Sequence, residues 1–151
     1  MTYQELKAEE NKYVMNTYGR FPIALDRGEG ATVWDVEGRK YIDLASGICV
    51  NCMGYNNQII IDAITAQAHK LMHVSNLFTT EPMVWAAKKL VEKTHLNGKV
   101  FFANSGAEAN EGAIKFARKY SVDHYGEGRS RVVTLQNSFH GRTLAPLTAT
   151  G

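Results

Sequence analysis

Two segments in the middle of the chain carry apolar residues at the three- and four-residue spacing of an amphipathic helix. The apolar positions of the first segment are Ile60, Ile64, Ala68 and Leu71, and those of the second are Val84, Ala87 and Val91. Thr80 is a suitable N-cap for the second helix, Pro82 fits its first turn, and Asn97-Gly98 marks its end. The pattern therefore predicts two helices, one on each side of residues 72–79.

The preceding part of the chain is more polar, and its apolar runs are shorter. Residues 1–20 favour a polar helix or an arm that ends near Gly19. Residues 31–36 and 40–44 have the composition of short strands and are separated by Glu37-Gly38-Arg39, so we expect a β-hairpin. Ser46-Gly47 and Met53-Gly54 then indicate a loop.

A different pattern begins at residue 99. Residues 99–103 and 131–135 are short, nearly continuous apolar runs, and a helix from about Ala107 to Val122 is predicted between them. Apolar strands joined by a helix are typical of a parallel sheet covered on both faces, which indicates an α/β fold. Two strands do not make a stable covered sheet, so we expect the front part of a larger α/β protein.

Composition and charge narrow the function classes. Hydrophobic residues make up 44% of the chain and charged residues 21%, which is typical of a globular protein. The net charge of +2 gives no indication of nucleic-acid binding. No apolar run approaches the roughly 20 residues of a membrane-spanning helix. The first residues carry Glu5, Glu9 and Glu10 and lack the apolar centre of a leader, so we expect a cytoplasmic protein.

The most informative chemical motif is the turn at residues 104–111. Ser105 and Glu108 have the spacing of a capping box, in which Ser105 accepts from the Glu108 amide and Glu108 reaches the Ser105 amide. Gly106 and Ala107 then lie in the first turn of a helix, where free amides and the helix dipole favour an anion such as phosphate. An ordinary capped helix has the same pattern, so both interpretations stay open. Dinucleotide-binding and P-loop patterns do not match.

A second loop, at residues 138–143, follows the next apolar run and is expected at the same edge of the sheet. Phe139 offers a flat apolar face that could stack on an aromatic ring, and Arg142 offers a fork for a carboxylate. Gly141 allows a sharp turn between them. The alternative is that Phe139 belongs to the core and Arg142 is a surface charge. Taken together, the two loops suit a phosphorylated aromatic cofactor and an amino or oxo acid.

The cysteines and histidines do not indicate a metal site. Cys49 and Cys52 have the Cys-x-x-Cys spacing, but no second pair of ligands accompanies them. We therefore expect two buried or partly buried thiols. His69 and His73 lie four residues apart without the glutamate of a zinc-protease motif, and a partly exposed helix face is the expected environment.

Several ordered motifs resemble those of class-III pyridoxal-phosphate aminotransferases, and together they extend over nearly the whole chain. They are residues 18–22, 36–44, 46–48, 75–78, 104–111, 113–120 and 138–143. The resemblance implies the N-terminal part of a fold type I transferase. In that part, residues 1–55 would be a small-domain segment with the β-hairpin. Residues 56–151 would begin the large cofactor-binding α/β domain with its mostly parallel sheet.

The resemblance also implies a site and a reaction. Gly106 and Ala107 would hold the phosphate of pyridoxal phosphate through their amides, Phe139 would stack on its ring, and Arg142 would bind the substrate α-carboxylate. Tyr18 would approach the substrate end. N-acetylornithine would give its terminal amine to 2-oxoglutarate in a homodimer, and ornithine, 4-aminobutyrate or succinylornithine are the alternative donors. The lysine that holds the cofactor has no match here, so a non-catalytic module that binds phosphate or pyridoxal phosphate is the alternative for these residues alone.

Overall fold

The computed structural model describes residues 1–151, which form two compact units, residues 1–77 and residues 78–151. The first unit contains three helices and a three-stranded sheet, and the second contains three helices. Neither unit contains a helix with the length and hydropathy of a membrane span. The small-domain boundary expected at residue 55 stays a prediction.

The first helix, α1, extends over Tyr3–Tyr13. Its N-terminus is a complete capping box, because the side chain of Thr2 accepts from the Glu5 amide and the Glu5 carboxylate accepts from the Thr2 amide. The polar helix expected in residues 1–20 is thus present, but it ends at Tyr13, well before Gly19. Val14 is already extended, and its amide donates to the carbonyl oxygen of Glu10.

The sheet consists of β1 (Leu25–Glu29), β2 (Thr32–Asp35) and β3 (Lys40–Ile42), all antiparallel and in that order. The hairpin of β2 and β3 confirms the prediction, and Val33 pairs with Tyr41 across it. Val33 is buried, with 5% of its surface exposed, and is the apolar centre of this unit.

The turn of the hairpin is organised by the carboxylate of Asp35, which is 2% exposed. It accepts hydrogen bonds from the amides of Glu37 and Arg39, from Nε of Arg39 at 2.6 Å and from the hydroxyl of Tyr41 at 2.8 Å. Burial alone raises the pKa of Asp35, but the hydrogen bonds from Arg39 and Tyr41 outweigh burial and hold the pKa at about 2.

The loop after β3 is closed by Asp43 and Tyr55. The Asp43 carboxylate accepts from the amides of Ala45 and Ser46 and from the Tyr55 hydroxyl at 2.7 Å. Tyr55 and Gly30 also exchange two backbone hydrogen bonds. These contacts tie both ends of the loop to the sheet.

Between these anchors lies α2 (Ser46–Cys49), a turn in which all four residues have positive φ angles between 48° and 62°. This left-handed conformation costs roughly 1–2 kcal/mol per non-glycine residue. Cys49 and Cys52 are free and exposed, so the expectation of buried thiols is wrong.

The two helices predicted from apolar spacing are confirmed as α3 (Gln58–Lys70) and α4 (Glu81–Thr94). Asn57 caps α3 by accepting from the amides of Ile59 and Ile60. Thr80 occupies the N-cap position of α4 but makes no side-chain capping hydrogen bond. Their apolar faces remain open to solvent within residues 1–151, where Ile64 is 64% exposed and Trp85 61% exposed.

The second unit ends with α5 (Gly106–Tyr125) and α6 (Leu144–Ala149), which contact each other. The strands expected at residues 99–103 and 131–135 do not form, and the only sheet of the chain is the antiparallel one. A strand requires a hydrogen-bonded neighbour, and these two segments do not pair with each other. Val133 is 93% exposed and Phe101 62% exposed, so these segments are not covered as the strands of a parallel sheet would be.

Candidate functional site

The N-terminus of α5 begins at the glycine-containing turn that the sequence singles out. Ser105 is the N-cap, in extended conformation, and its Oγ accepts from the Glu108 amide at 3.2 Å. The Glu108 carboxylate accepts from the amide of Asn104 at 2.7 Å, not from that of Ser105 as predicted. A glutamate side chain is long enough to reach either amide, so the capping is reciprocal but shifted by one residue.

This arrangement leaves two amides in the first turn for a ligand. No hydrogen bond within the chain uses the amide of Gly106 or Ala107. A Cβ placed on Gly106 would meet no atom within 4 Å, so the space beside these amides is open. Free first-turn amides and the positive end of a 20-residue helix together favour a phosphate.

The loop that carries Phe139 and Arg142 lies against the same end of α5. Nδ2 of Asn110 donates to the carbonyl oxygen of His140 at 2.7 Å, and the His140 amide donates to Oγ1 of Thr150 at 3.1 Å. Gly141 is buried with φ at +127°, and an added Cβ would lie 2.6 Å from Cβ of Ala107. The loop therefore rests directly on the first turn of the helix.

The four predicted site residues, Gly106, Ala107, Phe139 and Arg142, border one cavity of about 390 Å³. Phe139 is 67% exposed, so it does not belong to a core in this structure. The guanidinium carbon of Arg142 lies 5.2 Å from the centre of the Phe139 ring. The structure thus brings a phosphate-binding turn, an aromatic face and a guanidinium together. Their roles toward a ligand stay predictions, and Tyr18 lies in the other unit.

Two residues of this region were missed by the sequence reasoning. Asn110 reaches the loop as described, and the Glu111 carboxylate accepts from the Ala145 amide at 3.2 Å. The signal was present in the spacing: Ala107, Asn110 and Glu111 are three and four residues apart and so share one helix face. Only the position of the loop reveals that this face is the one it contacts.

The donor set fits pyridoxal phosphate in each of its parts. The amides of Gly106 and Ala107 suit its phosphate, the exposed ring of Phe139 suits stacking on a pyridine, and Arg142 suits the carboxylate of an amino acid bound beside it. No lysine borders the cavity. The residues present here account for binding and orientation.

Comparison with known proteins agrees with this interpretation. The family model described as aminotransferase class-III matches residues 13–151. The acetylornithine aminotransferase of Haemophilus ducreyi is 54% identical over 151 residues, which are 100% of this chain and 38% of that protein. The enzyme of the same name from Methanothermobacter thermautotrophicus is 49% identical over 100% of this chain and 37% of its own length.

Solved structures show the same likeness. The acetylornithine aminotransferase of Elizabethkingia anophelis superposes with a TM-score of 0.84 at 37% identity, over 94% of this chain and 36% of that one. The ornithine aminotransferase of Toxoplasma gondii ME49 superposes with a TM-score of 0.92 at 28% identity, over 99% of this chain and 36% of that one. These matches confirm the expected fold class.

The chain spans a little over a third of the length of these relatives, 38% in the case of the Haemophilus ducreyi protein. The match to the family model nevertheless extends from the end of α1 to the last residue. It includes both loops that border the cavity. The chain therefore belongs to the class-III aminotransferases, a family of pyridoxal-phosphate-dependent enzymes.

Proposed function

We propose that the full-length protein transfers the terminal amine of N-acetylornithine to 2-oxoglutarate, giving N-acetylglutamate 5-semialdehyde and glutamate. The observation that carries this proposal is the cavity in which Gly106, Ala107, Phe139 and Arg142 meet. Support for the donor comes from the relatives named acetylornithine aminotransferase, 54% and 49% identical to this chain. The reaction would serve arginine biosynthesis, in the cytoplasm as expected from the sequence and in a homodimer as the family resemblance implies.

In this proposal each residue of the cavity has one task. The amides of Gly106 and Ala107 bind the cofactor phosphate, which fixes one end of the cofactor at the positive end of α5. Phe139 stacks on the ring and excludes water from one of its faces. Pyridoxal phosphate, when bound, supplies the electron sink that makes amine transfer possible.

Arg142 binds the α-carboxylate that both the amino donor and 2-oxoglutarate carry. A guanidinium presents two parallel N–H groups, so it fixes the direction of a carboxylate as well as its charge. The guanidinium carbon of Arg142 lies 5.2 Å from the centre of the Phe139 ring, so a substrate carboxylate held there would lie beside the stacked cofactor.

Ornithine is the second candidate donor. The specific observation in its favour is the TM-score of 0.92 with the ornithine aminotransferase of Toxoplasma gondii, although the sequence identity is only 28%. The relatives at 54% and 49% identity favour the acetylated donor. The two donors differ at the α-amine and not at the α-carboxylate, so Arg142 alone does not separate them.

The test is a side-by-side assay of the full-length protein, loaded with pyridoxal phosphate, for glutamate formation from 2-oxoglutarate. N-acetylornithine, ornithine, 4-aminobutyrate and succinylornithine are compared as donors. The highest kcat/KM with N-acetylornithine supports the proposal. A higher kcat/KM with another donor would make that donor the substrate in place of N-acetylornithine. The absence of glutamate formation from every donor would refute the proposed function.

A variant pair tests the assignment of Arg142. Arg142→Lys keeps the charge but loses the fork, so we expect KM for 2-oxoglutarate to rise by about tenfold. Arg131→Lys makes the same exchange on an exposed side chain of the same unit and is the control. Equal KM values for the two variants would show that Arg142 does not bind the carboxylate.

A further inference from the structure

The contact between α5 and the Phe139–Arg142 loop depends on few groups. Ala107, Asn110 and Glu111 form one face of the helix, and each contacts a different part of the loop or of α6. Asn110 is the only one whose side chain hydrogen-bonds to the loop between Phe139 and Arg142. It bridges 30 positions of sequence with a hydrogen bond of 2.7 Å in a partly buried setting.

The peptide groups on both sides of His140 are fixed by this arrangement. The carbonyl oxygen of His140 accepts from Asn110, while the His140 amide donates to Thr150 Oγ1. The next residue, Gly141, turns the chain onto Ala107. Phe139 and Arg142 flank these two residues, so the position of the His140 carbonyl sets where the ring and the guanidinium lie relative to the first turn of α5.

We propose that Asn110 is a positioning residue that holds the Phe139–Arg142 loop at a fixed distance from the phosphate-binding turn. The inference rests on the proposed function, since it assigns the loop to ring stacking and carboxylate binding. The first-turn amides of Gly106 and Ala107 belong to the helix itself and do not depend on Asn110. Loss of the Asn110 hydrogen bond therefore weakens carboxylate binding and leaves phosphate binding unchanged.

Asn110→Leu is the sharpest substitution, because it keeps the approximate size and branching of the side chain, removes the donor to the His140 carbonyl and adds no charge to the cavity. Asn97→Leu makes the same change at an exposed position of the same unit and is the matched control. Asn110→Gln keeps an amide donor on a longer side chain. It is expected to recover part of the lost function if the hydrogen bond is what matters.

The experiment uses the full-length protein. For Asn110→Leu we expect KM for 2-oxoglutarate to rise by about tenfold, since the partly buried carbonyl of His140 loses its partner, with kcat changed by less than about threefold. The affinity of the cofactor-free protein for inorganic phosphate should equal that of the wild type. Asn110→Gln should have a KM for 2-oxoglutarate between those of the wild type and Asn110→Leu.

Three results would overturn the assignment. One is a KM for Asn110→Leu equal to that of Asn97→Leu. Another is an equal loss of phosphate affinity and carboxylate affinity, which would show general loosening of the unit. The third is an Asn110→Gln variant whose KM is no lower than that of Asn110→Leu. If the wild-type protein makes no glutamate, the proposed function fails by itself, and Asn110 is then refuted as a positioning residue for it.

Discussion

Gly141 offers the most direct test of the geometry of the cavity. We predict that Gly141→Ala destabilises the second unit strongly. Two independent effects act at this position, because its φ of +127° is unfavourable for any residue with a side chain and because the space for a Cβ is taken. The nearest atoms are Cβ and Cα of Ala107 at 2.6 and 2.9 Å and Cβ of Pro146 at 3.2 Å.

The magnitude follows from adding the two effects. A residue with a side chain in this backbone region costs about 1–3 kcal/mol. Ala107 is fixed on α5 and cannot rotate away, so either the helix or the loop must shift, at a further cost of roughly 1–3 kcal/mol. The expected loss of unfolding free energy is therefore about 4 kcal/mol.

Gly128→Ala separates these effects experimentally. Gly128 also has a positive φ, +101°, but an added Cβ there would meet nothing within 4 Å. Urea unfolding of the full-length protein, followed by circular dichroism, should show a loss of about 1–3 kcal/mol for Gly128→Ala and a clearly larger loss for Gly141→Ala. Equal losses would mean that the loop does not rest on Ala107, and the account of the cavity would be wrong.

Three other predictions concern single residues. The pKa of Asp35 is lowered from 3.8 to about 2, so its contribution to stability is complete above pH 4 or so and is lost as the pH falls toward 2. Urea unfolding at several acidic pH values should show this loss, and Asp35→Asn should remove it. Gly28→Ala should destabilise the first unit, because the new Cβ overlaps the ring of Tyr55, whereas Gly98→Ala, in open space, should not. The check is the unfolding free energy of each variant. Gly106→Asp should lower pyridoxal-phosphate affinity on the order of 100-fold by charge repulsion. The unfolding free energy of Gly106→Asp should be nearly unchanged. The affinity for pyridoxal phosphate is measured by fluorescence titration, with Gly98→Asp as the control.

The sequence was most informative where short-range rules decide the structure. The start of α5 was predicted to within one residue, since Ser105, Gly106 and Glu108 specify a capped helix locally. The hairpin around Gly38 was also predicted from local signals, since turn residues separate two short strand-like runs. The meeting of Phe139 and Arg142 with this turn was predicted from sheet topology, yet the structure assembles it through Asn110 and Gly141, without a hydrogen-bonded strand on either side.

Other features depend on contacts that sequence spacing does not reveal. The strand β1 reads Leu-Asp-Arg-Gly-Glu, which has no apolar alternation, and it forms because β2 offers a free edge. The segments at residues 99–103 and 131–135 have the composition of buried strands, yet they form no strand. A strand needs a hydrogen-bonded partner, and these two segments do not pair with each other.

The left-handed turn at Ser46–Cys49 reverses the usual relation between apolar side chains and stability. Ile48 is 91% exposed and has a φ of +62°, so its side chain gains no burial while its backbone is strained. Glycine has no such penalty in this region. A larger apolar side chain in this loop therefore does not stabilise it. The loop keeps its conformation because the hydrogen bonds of Asp43 with Ser46 and Tyr55 hold its ends.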